Sequence, residues 1–439
     1  MKLSMMQLLN CYLLATKNEI AIDEYLSKGI SKKIPPLPRT SKWVGEKWSS
    51  LTLLFIYVTL VVVFIFGGFF IYIILFLTRF YLCKLKQLTS KSIIFNDEDD
   101  RIYYFAFTEL GTNQVCHFFK EKNNREYSSN KITIVKLPWL NFEPINNNCD
   151  SVALYGFISF FDVTKAFLLT IFSFVCFFKP SCIKWILHLY TAPSWFLIAL
   201  AMNNVKGSFA SSEHYDRWAV LTDIVCKIKR KRYILIQHGS LLGLKAKNFE
   251  YFNLPYKLKS VSEIVVFNKI EFDLFSDYIL SKNKNDGLIV HYFQQPFIVS
   301  SIIEKKELSV LVVGHSLCER AQLKIGERLS TLSDEIVVYY KEHPRARASE
   351  KVKRAAWNFI TDDNYFPDVD LVISYPSTLA LQYQDLNKTV LLHGLDNINQ
   401  DEINEIITTV IKSKDIYEKD NYQICRHCIM DTNRSEHHF

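Results

Sequence analysis

Between Leu308 and Gly394 three apolar runs of strand length each end in a polar cluster able to hold a phosphate, which restricts the fold more than any other feature of the chain. The runs are Leu308 to Gly314, Glu335 to Tyr340 and Asp370 to Ser374. Their polar ends are His315-Ser316, Lys341-Glu342-His343-Pro344-Arg345 and Tyr375-Pro376-Ser377-Thr378. Short β-rich runs separated by helical stretches read as βαβ units around a parallel sheet. Ligands of such sheets bind outside the carboxyl ends of the strands, and all three clusters fall at that edge.

The residue types at that edge suit a phosphorylated ligand. Lys341, His343 and Arg345 bring two fixed charges and one titratable imidazole to a single strand end, an arrangement for phosphate or pyrophosphate rather than a neutral group. Ser377 and Thr378 precede the apolar-periodic run Leu379 to Gln384, which predicts a helix with both hydroxyls at its N-terminus, where backbone N–H groups and the helix dipole favour an anion. The plain alternative is that Ser377 or Thr378 caps the helix and His343 opens a turn before Pro344. Three clusters at successive strand ends favour the phosphate site, with His315, Ser316, Lys341, His343, Arg345, Ser377 and Thr378 as its candidate residues.

The sequence Lys341 to Arg345, followed by Asp370 to Thr378 and Lys388 to Leu392, resembles bacterial cell-surface glycosyltransferases of the two-domain GT-B type. The similarity is to capsule and lipopolysaccharide sialyl- and polysialyltransferases, and more remotely to CDP-glycerol glycerophosphotransferases. In those families the His-Pro motif and the Ser/Thr pair bind the phosphates of a nucleotide donor, which by position assigns His343, Arg345, Ser377 and Thr378 to the donor. The resemblance implies a nucleotide-sugar partner, CMP-linked in the sialyltransferase case. The motifs are short and cover about a quarter of the chain, so they speak to fold and reaction class more than to a particular sugar.

Such an enzyme needs a second Rossmann-like domain for its acceptor, and the preceding sequence offers one. Arg101 to Phe107, Ile132 to Leu137, Gly207 to Ser212, Tyr233 to Gly239 and Ile264 to Asn268 read as strands or strand ends, with a helix from about Glu213 to Lys229. Families of this type often carry a His-Gly at the strand end that faces the cleft between domains, which makes His238 the candidate general base. Histidine titrates near working pH without tuning. The competing reading is a structural histidine at a strand–turn junction. Asp216 or Glu213 could serve as base instead, or Ser212 could be an N-cap with acids in the first helical turn. No Asp-x-Asp motif stands at a strand end of the donor half, because Asp368-Val369-Asp370 precedes its strand. Neither a metal nor a cofactor is therefore expected.

A chain of 439 residues has room for two such domains and extra segments. Apolar residues make up 49% of it, with 33 Phe, a richness that points to membrane contact. Ten Cys without a signal-peptide pattern suggest reduced thiols in the cytoplasm rather than a disulfide framework. Leu51 to Leu82 is almost continuously apolar, and its first 28 residues as a helix would cover roughly 42 Å, more than a bilayer core requires. One tilted span and a re-entrant hairpin turning at Gly67-Gly68 are both open, since basic residues flank the segment on both sides. Catalytic domains that use nucleotide sugars must face the cytoplasm, so the expected location is the inner, cytoplasmic membrane.

Val152 to Phe178 and Trp185 to Met202 form a second apolar region whose interspersed charges predict helices docked on the membrane or lining an acceptor groove, with spanning segments as the rival. The basic run Lys227, Lys229, Arg230, Lys231 and Arg232 could meet anionic lipid or a lipid diphosphate, or simply complete a helix dipole. Nucleic acid is a poor explanation for the net charge of +7, because no aromatic-interleaved basic motif appears. The tail from Cys425 to Thr432 resembles the opening of N-acetyl sugar amidotransferases, whose Cys-x-x-Cys pair is of zinc type. Everything after that opening is missing, so no amidotransferase activity carries over; the preferred reading is a remnant or read-through of a neighbouring gene's start, and zinc binding by the Cys pair with His427, His437 and His438 is the alternative.

The domain expectation is an N-terminal segment over 1–48, a membrane segment over 49–82, an acceptor-side domain over 95–300 that includes docking helices at 152–202, a donor domain over 308–412 and a tail over 413–439. The fold class is α/β with two Rossmann-like domains. The function expected is transfer of a sugar from a nucleotide-activated donor to a lipid-linked or growing surface glycan. A non-catalytic membrane scaffold and a CDP-alditol phosphotransferase are the alternatives.

Overall fold

The β-rich runs of both halves assemble into parallel sheets in the computed structural model, which describes residues 2–28, 33–39, 48–89, 100–122, 132–138, 150–241, 252–281, 287–293, 297–301, 308–332, 336–343, 347–362, 365–394 and 398–414. These residues fall into two units, one up to Phe293 and the other from Phe297 onward. The tail, with its Cys-x-x-Cys, lies outside the described residues.

The first unit is built on β1 (Ile102–Ala106), β2 (Ile132–Lys136), β3 (Asp150–Ala153), β4 (Ser208–Ser211), β5 (Tyr233–Ile236), β6 (Glu263–Val266) and β7 (Ile289–Tyr292), in the spatial order 3-2-1-4-5-6-7 with every pair parallel. The second is built on β8 (Leu308–Val313), β9 (Ile336–Lys341), β10 (Asn358–Ile360), β11 (Leu371–Ser374) and β12 (Thr389–Leu392), in the order 10-9-8-11-12, again all parallel. Each order reverses direction once, between β1 and β4 and between β8 and β11, and a doubly wound sheet places its ligand crevice at that point. Both units are Rossmann-like, as the sequence predicts.

Alternation along the strands explains the layering. In β1, Tyr103 and Phe105 join one core, while Ile102, Tyr104 and Ala106 join the core on the opposite face. In β8, Val310 and Val312 likewise point one way, and Leu311 and Val313 the other. Burial on both faces is why these strands read as continuous apolar runs. The strands that the sequence does not announce, β3, β7, β10 and β12, are sheet edges with exposed positions, so they lack such runs.

The helices of the first unit do more than cover its sheet. Helix α1 (Met5–Lys28) packs against α6 (Ala192–Asn204) and α7 (Arg217–Lys229), so the N-terminal segment belongs to this unit's core. Helix α2 (Ser50–Val63) begins at Ser49, whose hydroxyl accepts from Thr52 N–H, and a single π-turn at Phe64–Gly68 joins it to α3 (Phe69–Thr89). At that turn Gly67 has φ of +124°, and a Cβ on Gly68 would lie 2.7 Å from the Val63 carbonyl oxygen, so both glycines are needed for the kink. Helix α4 (Glu109–Lys122) follows β1, and α5 (Phe160–Phe177) starts in a full capping box between Ser159 and Asp162. Among the described residues three stretches, Ser50–Leu85, Phe160–Phe177 and Ile183–Asn204, are long and apolar enough to cross a membrane. The last is nearly enclosed by protein, with Trp195 to Ala201 buried, so the Trp185 to Met202 stretch is core rather than a surface-docked helix.

Candidate functional site

In the second unit the direction change between β8 and β11 gathers residues from three strand ends. The His315 ring after β8 lies 5.3 Å from the Tyr375 ring after β11 and 5.3 Å from the His343 ring after β9. Gly314 permits the first of these turns, because a Cβ there would lie 2.2 Å from the Tyr340 hydroxyl. His315 Nδ1 accepts from Leu317 N–H at 3.2 Å, which puts the proton of the neutral ring on Nε2, where it can be donated. Ser316 is exposed in the turn that precedes α9 (Glu319–Leu332).

The Ser/Thr pair divides its work. Ser374 Oγ donates to the Tyr375 carbonyl at 2.6 Å, so at 3.1 Å from it the Ser377 hydroxyl is the donor. Ser377 Oγ accepts in turn from Ala380 N–H at 3.1 Å, as the N-cap of α11 (Thr378–Asp385). The Ser377 side chain thus serves the cap, and an arriving anion would meet Thr378 and the first backbone N–H groups of α11.

Lys341, read from sequence as a phosphate ligand, is buried, and its ammonium donates to the carbonyls of Asp362 and Tyr365, both at 3.0 Å, while lying 4.4 Å from the Phe366 ring centre. Both carbonyls belong to the segment that follows β10, the strand paired with β9. Arg345 lies outside the described residues. Beneath the cluster, Gln322 of α9 donates to the Val313 carbonyl at 2.8 Å and to His393 Nε2 at 3.2 Å, and accepts from the Tyr340 hydroxyl at 3.2 Å. His393 Nδ1 donates to the Gly394 carbonyl at 2.7 Å, and burial holds its pKa below the usual imidazole range. Sequence reading missed Gln322 and His393, since a glutamine in a helix carries no signal of what it reaches.

In the first unit the corresponding point lies between β1 and β4. The Thr108 hydroxyl accepts from Gly111 N–H at the start of α4, and a Cβ on Gly111 would lie 2.2 Å from Ser212 Oγ. Ser212 Oγ is 2.8 Å from the Tyr104 hydroxyl. The close approach of the α4 turn to the β4 end therefore depends on glycine. From β5, His238 Nδ1 lies 2.5 Å from the Ser212 carbonyl oxygen. A carbonyl can only accept, so Nδ1 carries the proton and the lone pair of the neutral ring is on Nε2. The His238 backbone N–H donates to His214 Nε2 at 3.2 Å, with the two rings 4.6 Å apart. Burial, then the charge of His238, holds His214 well below the usual imidazole range, so His214 stays neutral as an acceptor. Gln237 locks the turn by donating to the Gly239 carbonyl at 3.0 Å and accepting from Phe267 N–H at 2.9 Å.

The carboxylates are arranged differently from the sequence expectation. Helix α7 begins at Arg217 rather than Glu213, and its N-cap is Asp216, not Ser212; Asp216 Oδ1 accepts from Trp218 N–H at 2.9 Å and from Ala219 N–H at 3.0 Å. Burial, then the nearby charge of Glu19, pushes the Asp216 carboxyl up to about 6, and Glu213 hydrogen-bonds to it. Glu19 comes from α1, where it accepts from Arg217 N–H at 3.0 Å and pairs with the guanidinium at 3.4 Å. The N-terminal helix thereby holds the loop that carries Ser212, Glu213 and Asp216. The basic run at the far end of α7 is partly structural: Lys229 donates to the Met202 carbonyl at 3.0 Å, and Arg232 pairs with Glu263. Among the described residues no group of three or more His, Cys, Asp or Glu side chains is placed to hold a metal ion.

No family model matches the chain, and no curated protein matches it. Among solved structures it is similar to MnaA of S. aureus in complex with UDP, at 10% identity and a TM-score of 0.38 over 72% of this chain and 88% of that one. It is also similar to the wall teichoic acid polymerase TagF, at 11% and 0.35 over 72% of this chain and 78% of that one, and to MurG of Acinetobacter baumannii, at 12% and 0.34 over 71% and 90%. At this level the likenesses add nothing to what the strand orders establish.

Proposed function

We propose that the protein is a membrane-associated glycosyltransferase of GT-B type that moves a sugar from a nucleotide-activated donor to a lipid-linked or growing surface glycan on the cytoplasmic face of the inner membrane. The observation that carries this reading is the convergence of His315, His343 and Tyr375 on the β8–β11 direction change, beside the N-terminus of α11. Imidazole N–H groups, the Thr378 hydroxyl and helix N–H groups make a donor-rich edge that suits the phosphates of a nucleotide, and the buried Tyr375 ring backs His315 edge to face. The sequence resemblance adds His343 and Arg345 as phosphate ligands.

In this reading His238 takes the proton of the acceptor hydroxyl through Nε2, since Ser212 fixes the Nδ1–H tautomer. His315, His343 and the α11 N–H groups meet the charge that develops on the leaving phosphate. Lys341 supports the strand end through the Asp362 and Tyr365 carbonyls. A donor panel read by thermal unfolding tests the proposal: CMP-, UDP-, GDP- and CDP-linked donors are added in turn, and one class should raise the midpoint while the His343→Ala protein loses that shift. Stabilisation by CDP-alditols alone would move the assignment to the phosphotransferase, and no stabilisation by any donor would favour a non-catalytic scaffold.

A further inference from the structure

A water-exposed helix normally shows an apolar stripe inward and a polar one outward, and α5 breaks this pattern. Its inner face, Val163, Ala166, Leu169, Phe174 and Phe177, is buried in the first unit's core. Its outer face carries Phe161, Leu168, Phe172 and Val175, spaced for one side of a helix, with exposures of 68%, 43%, 53% and 62%. A stripe of this length along an 18-residue helix exceeds what a soluble surface usually leaves open.

Helix α3 lies beside it. Phe69 stacks on Phe174 at 4.5 Å, and Tyr81 meets Phe160 at 4.7 Å, so the two helices run antiparallel in contact over roughly 18 Å, the length of twelve residues. Helix α3 turns Ile71, Ile74, Leu75 and Leu82 outward, which makes its exposed face continuous with that of α5. Basic side chains frame the patch. Lys165 lies 4.5 Å from the Phe161 ring centre, Lys184 lies 5.3 Å from that of Trp185, and Arg79 and Lys179 are exposed. Long cationic side chains over aromatic rings at the border of an apolar face match the headgroup level of an anionic bilayer.

We infer that α5 is a second lipid-embedded helix, its Phe161–Leu168–Phe172–Val175 face lying in the bilayer alongside α3, while α6 behind it stays within protein. This rests on the membrane reading of Ser50–Leu85 given above. The test uses the whole protein in vesicles of phosphatidylethanolamine and phosphatidylglycerol, with photoreactive benzoylphenylalanine at Phe172, at Ile74 of α3 or at Leu332 of the second unit, all three exposed positions. Irradiation should add lipid mass at Phe172 and at Ile74 and none at Leu332. Lipid adducts at Ile74 without any at Phe172 would overturn the inference and leave the reading of α3 intact. Adducts at neither site would remove both. Cross-linking of Phe172 to a second copy of the chain would also overturn it, by showing that protein covers α5.

Discussion

A single proton decides whether His238 can act as a base. The Ser212 carbonyl takes the Nδ1–H at 2.5 Å, which leaves Nε2 as the nitrogen able to receive the acceptor's proton. His238→Ala should lower turnover by roughly 100-fold with donor affinity near normal, since a base works on the acceptor alone. Steady-state kinetics with a titrated donor checks this, and near-parental turnover beside an inactive Asp216→Ala protein would transfer the role to the carboxylate. Asp216 carries a pH dependence of its own. Folding raises its pKa from 3.8 to about 6, so its contribution to stability is fully present below pH 3.8 and is lost as pH rises through 6. Asp216→Asn keeps a capping oxygen for α7 and removes the buried charge. Thermal midpoints of the two proteins should therefore diverge between pH 4 and 6, the variant gaining relative to the parent by on the order of 2 kcal/mol. Parallel midpoint curves would show that Asp216 ionises in the folded state as freely as in the unfolded one.

Elements were legible in proportion to how fully they are buried. Central strands such as β8, β9 and β11 appear in the sequence as apolar runs because both faces are covered, and the polar clusters that follow them mark the ligand edge. Edge strands lack that signature. The long reach of Glu19 from α1 to Arg217, 198 positions away, has none either, because contact across a core leaves no local pattern. Ser377 and Lys341 show the same limit within the site: their places were read correctly as strand and helix ends, but the direction of each side chain is set by neighbours, a serine pair in one case and two carbonyls in the other. The glycine pair in the apolar segment Ser50–Leu85 is the opposite case, since Gly67-Gly68 announces a break and the chain kinks there. Gly67→Ala would force an L-residue into φ of +124°, a cost of about 1–2 kcal/mol. Detergent-solubilised protein with this substitution should melt several degrees lower, whereas an unchanged midpoint would mean that α2 and α3 can join as one straight helix without loss.

For the whole molecule the question that decides the proposed function is on which side of a membrane the two units stand. Helix α2 meets the first unit near its start, through buried Leu53 and a 2.9 Å hydrogen bond from the Tyr57 hydroxyl to the Lys184 carbonyl. Helix α3 meets the same unit through buried Phe69, Ile73, Leu77 and Phe80, and Lys84 donates to the Tyr155 carbonyl at 2.7 Å. Both arms of the kinked segment thus pack on one body of protein, the first unit. Nucleotide-activated sugars are charged and made in the cytoplasm, so an enzyme that consumes them has to present its donor edge there. Trypsin added to sealed spheroplasts should accordingly leave both units intact, and the same protease added to inverted vesicles should cleave the second unit away. Cleavage from the outside would place His315, His343 and Tyr375 beyond the reach of any cytoplasmic donor, and the glycosyltransferase reading would fall with the orientation.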